Sequence, residues 1–147
     1  MDPFELLKSD HDQVSRMFNQ LEEAEDLDEK QRIILDLRQL LDAHSYLEET
    51  VFYPIFQDEE DFREIIDDFY DDHQEVKILL DEINEVSTEE ELDEKIAELV
   101  DCVEGHVEDE ENELFPKIEE RANSDELLQI GNQLLEARKR LNLPEAA

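Results

Sequence analysis

Residues 105–120 read GHVEDEENELFPKIEE, and residues 43–58 read AHSYLEETVFYPIFQD. Each segment sets a histidine four residues before a glutamate and a proline six residues after it: His44, Glu48 and Pro54, then His106, Glu110 and Pro116. The offset between them is 62 residues, and it also carries His11 onto His73. In both segments the histidine and the glutamate stand in line with apolar residues, on the face that a helix turns to the core. A pattern written twice implies a pseudo-twofold axis, so that whatever one half contributes to the core the other contributes opposite it.

Outward from these segments the apolar residues keep recurring every three or four positions, the period of an amphipathic α-helix. Asp2 and Pro3 predict a capped start with a first-turn proline for a helix running to about Glu25. Its stripe is Phe4, Leu7, His11, Val14, Phe18 and Leu21. Asp28 with Gln31 predicts a capping box for a second helix, with the stripe Ile33, Leu37, Leu41, His44, Glu48, Val51 and Ile55 and a kink or end at Pro54. A third helix is expected to open near Asp58 and to bury Phe62, Ile66, Phe69, His73, Val76, Leu80 and Ile83. Thr88 with Glu91 predicts the cap of a fourth, carrying Leu92, Ile96, Leu99, Val103, His106, Glu110, Leu114 and Ile118. A last amphipathic helix is expected over about 124–141, ending in the basic run ARKR where the macrodipole favours cations. The turns are short, which predicts an all-α, up-down-up-down antiparallel four-helix bundle over about 3–120, with the C-terminal helix added to it, as one domain of 147 residues.

Composition narrows the function. With 46 acidic and 13 basic residues the formal net charge is −33, which opposes a nucleic-acid partner and an anionic membrane surface alike. Only two glycines and four prolines fit helices joined by tight turns. The single cysteine, Cys102, leaves no internal disulfide and fits a reducing compartment. No apolar run approaches about 18 residues, and MDPFELLKSD is no signal peptide, so a cytoplasmic protein is expected.

All four histidines and two glutamates interrupt the apolar stripes of four helices. A buried carboxylate without a partner costs several kcal/mol, so the six need a common partner, and imidazole nitrogens and carboxylates are ordinary ligands of transition metals. Residues at i and i+4 share a helix face, so His44 with Glu48 and His106 with Glu110 each present a nitrogen and a carboxylate at adjacent levels. Six ligands are too few for two closed octahedral sites unless carboxylates are shared. The expected centre is two metals bridged by Glu48 and Glu110, with His11 and His44 on one, His73 and His106 on the other, and open positions for water, hydroxide or a small ligand. Any one of these histidines alone would more simply be a hydrogen-bonded core residue, and a lone HxxxE is a weak signal; the duplication is what makes the pattern specific.

The runs LLKSDHDQVSRMF and DDHQEVKILL, and the two HxxxE segments followed by FYPIF and LFPKI, resemble the hemerythrin-like family of cation-binding four-helix bundles, over about residues 4–141. The resemblance implies a non-haem di-iron centre held by His11, His44, Glu48, His73, His106 and Glu110, and a role in binding dioxygen, sensing oxygen or iron, or responding to nitric oxide and oxidative stress. It also prefers iron, where ligand type alone would accept manganese or zinc. The oxygen carriers of the family have a further histidine where this chain has Lys77, an aspartate where it has Glu110, and a tryptophan-bearing arm, whereas this chain has no Trp. The four-histidine, two-glutamate pattern is closer to the branch implicated in nitrosative stress and iron–sulfur repair, without that branch's cysteine-bearing N-terminal domain.

Three readings of function follow: a binding module for dioxygen or nitric oxide, or an iron store or sensor; an enzyme turning over peroxide, dioxygen or nitric oxide at the same centre; and a structural bundle with incidental metal, as monomer or homodimer. Tyr70, one turn before His73, is expected at the bundle edge, with a donor or redox role at the centre as the alternative. Lys77 is expected in solvent and Cys102 as a small buried hydrophobe. Asp10, Asp72, Glu49 and Glu111 neighbour the candidate ligands in sequence and are left as solvated groups or as carboxylates supporting them.

Overall fold

The computed structural model describes residues 2–141, and among these it contains helices and no strand. They form five helical rods. The first is α1 (Pro3–Glu23); the second is α2 (Leu27–Leu47), which passes through a π-helical turn (Glu48–Phe52) into α3 (Tyr53–Phe56). The third is α4 (Glu60–Ile83), and the fourth is α5 (Glu89–Asp109), which passes through a second π-helical turn (Glu110–Leu114) into α6 (Phe115–Arg121). The fifth is α7 (Ser124–Arg140). Helix α1 packs on α2 and α4 on α5, while α7 lies against α1, α2 and the first π turn. None of these helices is long and apolar enough to cross a membrane.

Most helix starts follow the expected chemistry. The Asp2 carboxylate accepts the Phe4 N–H at 2.8 Å, and Thr88 Oγ accepts that of Glu91 at 3.2 Å, each satisfying a donor that the helix itself cannot. The second helix corrects the expectation. Its cap is Asp26, not Asp28: Asp26 has extended backbone and its carboxylate accepts the Glu29 N–H at 2.8 Å, so the helix opens at Leu27. Helix α1 stops at Glu23, and α4 opens at Glu60 beyond the expected Asp58.

Pro54 does not end the second rod. In both π turns the residue before the proline bonds five residues back, Tyr53 N–H to the Glu48 carbonyl and Phe115 N–H to that of Glu110. The proline that follows has no N–H, and in a regular α-helix its ring would strike the carbonyl four residues earlier; widening the turn relieves that clash. Widening also inserts a residue, which turns the following face by about 100°. The expected stripe is therefore wrong past Glu48: Val51 is half-buried and Ile55 is 42% exposed, while Phe52, Tyr53 and Phe56 fill the core. In the second half the expected Leu114 and Ile118 are buried, and they are the counterparts of Phe52 and Phe56 at the offset of 62.

The apolar side chains form two clusters. One holds Phe4, Leu7, Leu47, Phe52, Phe69, Leu114 and Phe115 together with Ile130 and Leu134 of α7. The other holds Val14, Phe18, Leu37, Leu41, Val76, Leu80, Leu99 and Val103. Along each of the four longer rods the candidate histidine falls between a member of one cluster and a member of the other, as His11 does between Leu7 and Val14. The histidines and glutamates thus make a polar layer sealed by an apolar core on either side. At the open end, Lys30 of α2 binds Glu89 at 2.8 Å and Asp93 at 3.0 Å near the start of α5.

Candidate metal centre

The fold brings all six sequence-predicted residues into that layer. The histidines are 6–8% exposed and Glu48 and Glu110 are fully buried. Glu48 Oε1 lies 3.3 Å from His44 Nε2 on its own rod and 3.1 Å from His73 Nε2 across the bundle. Glu110 repeats the arrangement, with its oxygens 3.7 Å from His106 Nε2 on its own rod and 3.1 Å from His11 Nε2 across the bundle. Each glutamate therefore joins the two halves. Their ligand atoms fall into two groups, His11 with His44, Glu48 and Glu110, and His73 with His106 and Glu48, within which the atoms lie no more than 4.8 Å apart. Either group can hold a metal ion.

Every imidazole is turned the same way. The Nδ1 atoms face outward onto carboxylates: His44 on Asp10 at 2.8 Å, His106 on Asp72 at 3.0 Å, His73 on Glu49 at 2.9 Å and His11 on Glu111 at 2.6 Å. This set obeys the same repeat, since Asp10 matches Asp72 and Glu49 matches Glu111 at the offset of 62. A carboxylate that accepts Nδ1–H fixes the tautomer and leaves the Nε2 lone pair pointing inward, the arrangement that metal-binding histidines use. The four carboxylates that the sequence left open are thus partners of the histidines, each supplied by a residue adjacent to a candidate ligand on another rod.

The interior shows what is needed there. The His11 and His44 Nε2 atoms, Glu48 Oε2 and Glu110 Oε1 are buried without a hydrogen-bond partner, and the His73 and His106 Nε2 atoms face each other at 3.2 Å. Lone pairs of nitrogen and carboxylate oxygen converge with too few protons between them, so the donor set fits metal cations. Without such cations protons must serve. Burial works against charge on His44 and His106, but Glu48 and Asp10 draw the first well above the ordinary range, and Asp72 with Glu48 draws the second up to about 10. Burial also pushes both glutamates upward; the His44 charge overrides it and holds Glu48 well below its usual value, whereas the charge of Glu48 adds to it and keeps Glu110 raised.

Tyr53 is the residue that the helical period hid. The first π turn swings it inward, where its hydroxyl lies 2.5 Å from Glu110 Oε2 and 3.1 Å from Glu48 Oε1, a single proton set between two carboxylates. Burial and the Glu110 charge raise the phenol well above its normal range, which keeps it a donor. The repeat breaks here: the counterpart of Tyr53 is Phe115. Tyr53 stacks on His73 at 5.6 Å and Phe115 on His11 at 6.3 Å, so the two halves have the same shape but only one has the hydroxyl. The signal in the sequence was the FYP and LFP pair itself, one tyrosine and one phenylalanine at matched positions.

The other face of the layer closes a cavity of about 30 Å³ lined by the four histidines with Val14, Leu41, Val76, Val103, Val107 and Ser45. A separate cavity of about 450 Å³ between α1 and α5 is lined by Phe18, Lys30 and acidic residues and touches none of the histidines. Tyr70 is half-buried; its ring packs edge-on to Tyr53 and its hydroxyl donates to the Glu49 carbonyl at 3.3 Å, so it stands behind the centre. Lys77 is exposed. Cys102 is partly buried, and burial with the nearby Glu75 charge raises its thiol to about 11, an unreactive setting.

The model of the hemerythrin HHE cation binding domain matches residues 2–136. The chain belongs to that family. Among characterised proteins it is similar to a DNA nickase of Nostoc sp. (strain PCC 7120 / SAG 25.82 / UTEX 2576), 29% identical over 141 residues, a match that covers 93% of this chain and 39% of the relative. The hemerythrin-like chain thus spans about two fifths of that relative's length. No solved structure matches it significantly.

Proposed function

We propose that this hemerythrin-like domain holds two iron ions, with Glu48 and Glu110 bridging them, His11 and His44 on one and His73 and His106 on the other, and that it binds a diatomic ligand, dioxygen or nitric oxide. The observation that carries the reading is the cavity against the histidines. A water molecule needs about 10–15 Å³ of such space, so about 30 Å³ suits a molecule of two or three atoms. Its walls beyond the imidazoles are almost wholly aliphatic, which suits an uncharged ligand. Two ferrous ions supply the electrons and open coordination positions that such ligands need. The protein's share is to orient four Nε2 lone pairs through the Nδ1 carboxylates and to keep bulk water out with two apolar clusters.

An enzyme reading has one observation of its own. The phenol of Tyr53 is a protonated donor against both bridging carboxylates, and turnover of peroxide consumes protons where simple carriage does not. The nicking of DNA named for the Nostoc relative does not suit this chain, because a formal charge of −33 opposes a phosphate backbone. An up-down-up-down order of the four longer rods suits the repeat, and the lone cysteine suits the cytoplasm. The deciding experiment is elemental analysis of protein purified without chelator, followed by exposure of the reduced form to dioxygen, nitric oxide and peroxide. About two irons per chain and a spectral change with a diatomic ligand are expected. A folded chain that takes up no ferrous iron would return the reading to a structural bundle.

A further inference from the structure

The repeat that builds the centre stops before α7, and this helix packs most extensively on one half of it, against α1, α2 and the first π turn. Arg138, buried in the last turn of α7, donates through Nη2 to Asp10 Oδ2, the same oxygen that receives His44 Nδ1 at 2.8 Å. Asp10 is 1% exposed. Its counterpart Asp72 receives His106 Nδ1 in the same way at 3.0 Å, but its side chain is 39% exposed, and among the described residues no lysine or arginine pairs with it. Two equivalent carboxylates thus hold two equivalent histidines, one locked beneath a helix and one open to water.

We propose that Arg138 is a positioning residue which, through Asp10, fixes His44, so that the ion at His11 and His44 is held more tightly than the ion at His73 and His106. A carboxylate buried near Glu48 and Glu110 needs a positive partner to stay in place, and the guanidinium is the one that α7 delivers. With Asp10 pinned, the His44 ring keeps its tautomer and its angle and binds without reordering. Asp72 is free to exchange its bond with His106 for water, so His106 must be reordered each time an ion enters. Asp10 Oδ1 and Arg138 Nε have no partner of their own, so the link depends on that one Nη2 contact and on α7 staying docked. Loss of a carboxylate supporting a metal-binding histidine costs about 10- to 100-fold in affinity, and the loss of Arg138 is expected to fall in that range.

This inference rests on the two-ion reading, and the test separates the two. The full chain is loaded with zinc, a diamagnetic probe, and titrated with chelators of rising strength while metal content and the imidazole nitrogen resonances are followed. In the unchanged chain zinc is expected to leave in two steps, freeing His73 and His106 first. In Arg138→Met the second step weakens about 10- to 100-fold and the steps merge. Arg138→Lys restores part of the gap, and Asp72→Asn shifts the first step alone. If Arg138→Met fails to fold, Asp10→Asn breaks the same link and carries the same expectation. Release of both ions in one step from the unchanged chain, release from His11 and His44 first, or equal weakening of both positions in Arg138→Met would overturn the inference and leave the two-ion centre standing. Failure to bind zinc and ferrous iron alike would remove both.

Discussion

At the scale of residues, the centre rests on a division of labour within each imidazole, Nδ1 committed to a carboxylate and Nε2 turned inward. Glu48→Gln or Glu110→Gln would replace an oxygen of a proposed bridging carboxylate by an amide donor aimed at those lone pairs; both variants are expected to lose metal from both positions by elemental analysis, and full retention in either would show that carboxylate to be no ligand. Tyr53→Phe makes the two halves alike, since it writes the residue of position 115 at position 53. In chelated protein it strips Glu110 Oε2 of its hydrogen-bond donor and is expected to lower unfolding free energy by about 1–3 kcal/mol in a urea titration. With metal bound the loss should shrink, because the ions then satisfy the carboxylates.

At the scale of elements, the two π turns matter most. They begin at Glu48 and Glu110, the two bridging candidates, and they finish just before Pro54 and Pro116. The prolines make the wide turn favourable, and the wide turn rotates the next face, so that Tyr53 and Phe115 stack on the histidines of the opposite half. A stripe drawn at the ordinary period misplaced Val51 and Ile55 for this reason, and the second half already held the correct register in Leu114 and Ile118. The start of the second helix gives a sharper check on local chemistry. Asp26→Ala removes the cap and is expected to cost about 1 kcal/mol, whereas Asp28→Ala, one residue into the helix, should cost no more than about 0.3–1 kcal/mol of dipole energy and less in high salt. A larger, salt-independent loss in Asp28→Ala than in Asp26→Ala would restore the capping box at Asp28.

At the scale of the molecule, the polar layer divides the core in two, and a bundle built this way is complete only when the layer's charges are satisfied. An ion that binds the folded chain alone, present at about a hundred times its Kd, adds about 2.7 kcal/mol, which for a chain of this size raises Tm by roughly 5–10 °C. Chelation should therefore lower Tm by that much or more in calorimetry, and re-addition of ferrous iron should restore it. An unchanged Tm would favour the structural bundle. Helix α7 gives the molecule its asymmetry: it adds Ile130 and Leu134 to one apolar cluster and Arg138 to one side of the metal layer.

The sequence by itself determined the helical class, the 62-residue repeat and the six residues that converge at the centre, because these follow from spacing along single helices and from the cost of burying charge without a partner. It also held Asp10, Asp72, Glu49 and Glu111 as a matched set but could not say which histidine each would serve. That assignment, like the inward turn of Tyr53 and the reach of Arg138, was decided only in the tertiary structure. The bonds concerned join residues 34, 57, 100 and 128 positions apart, and no local period encodes which side chains meet once separate helices pack.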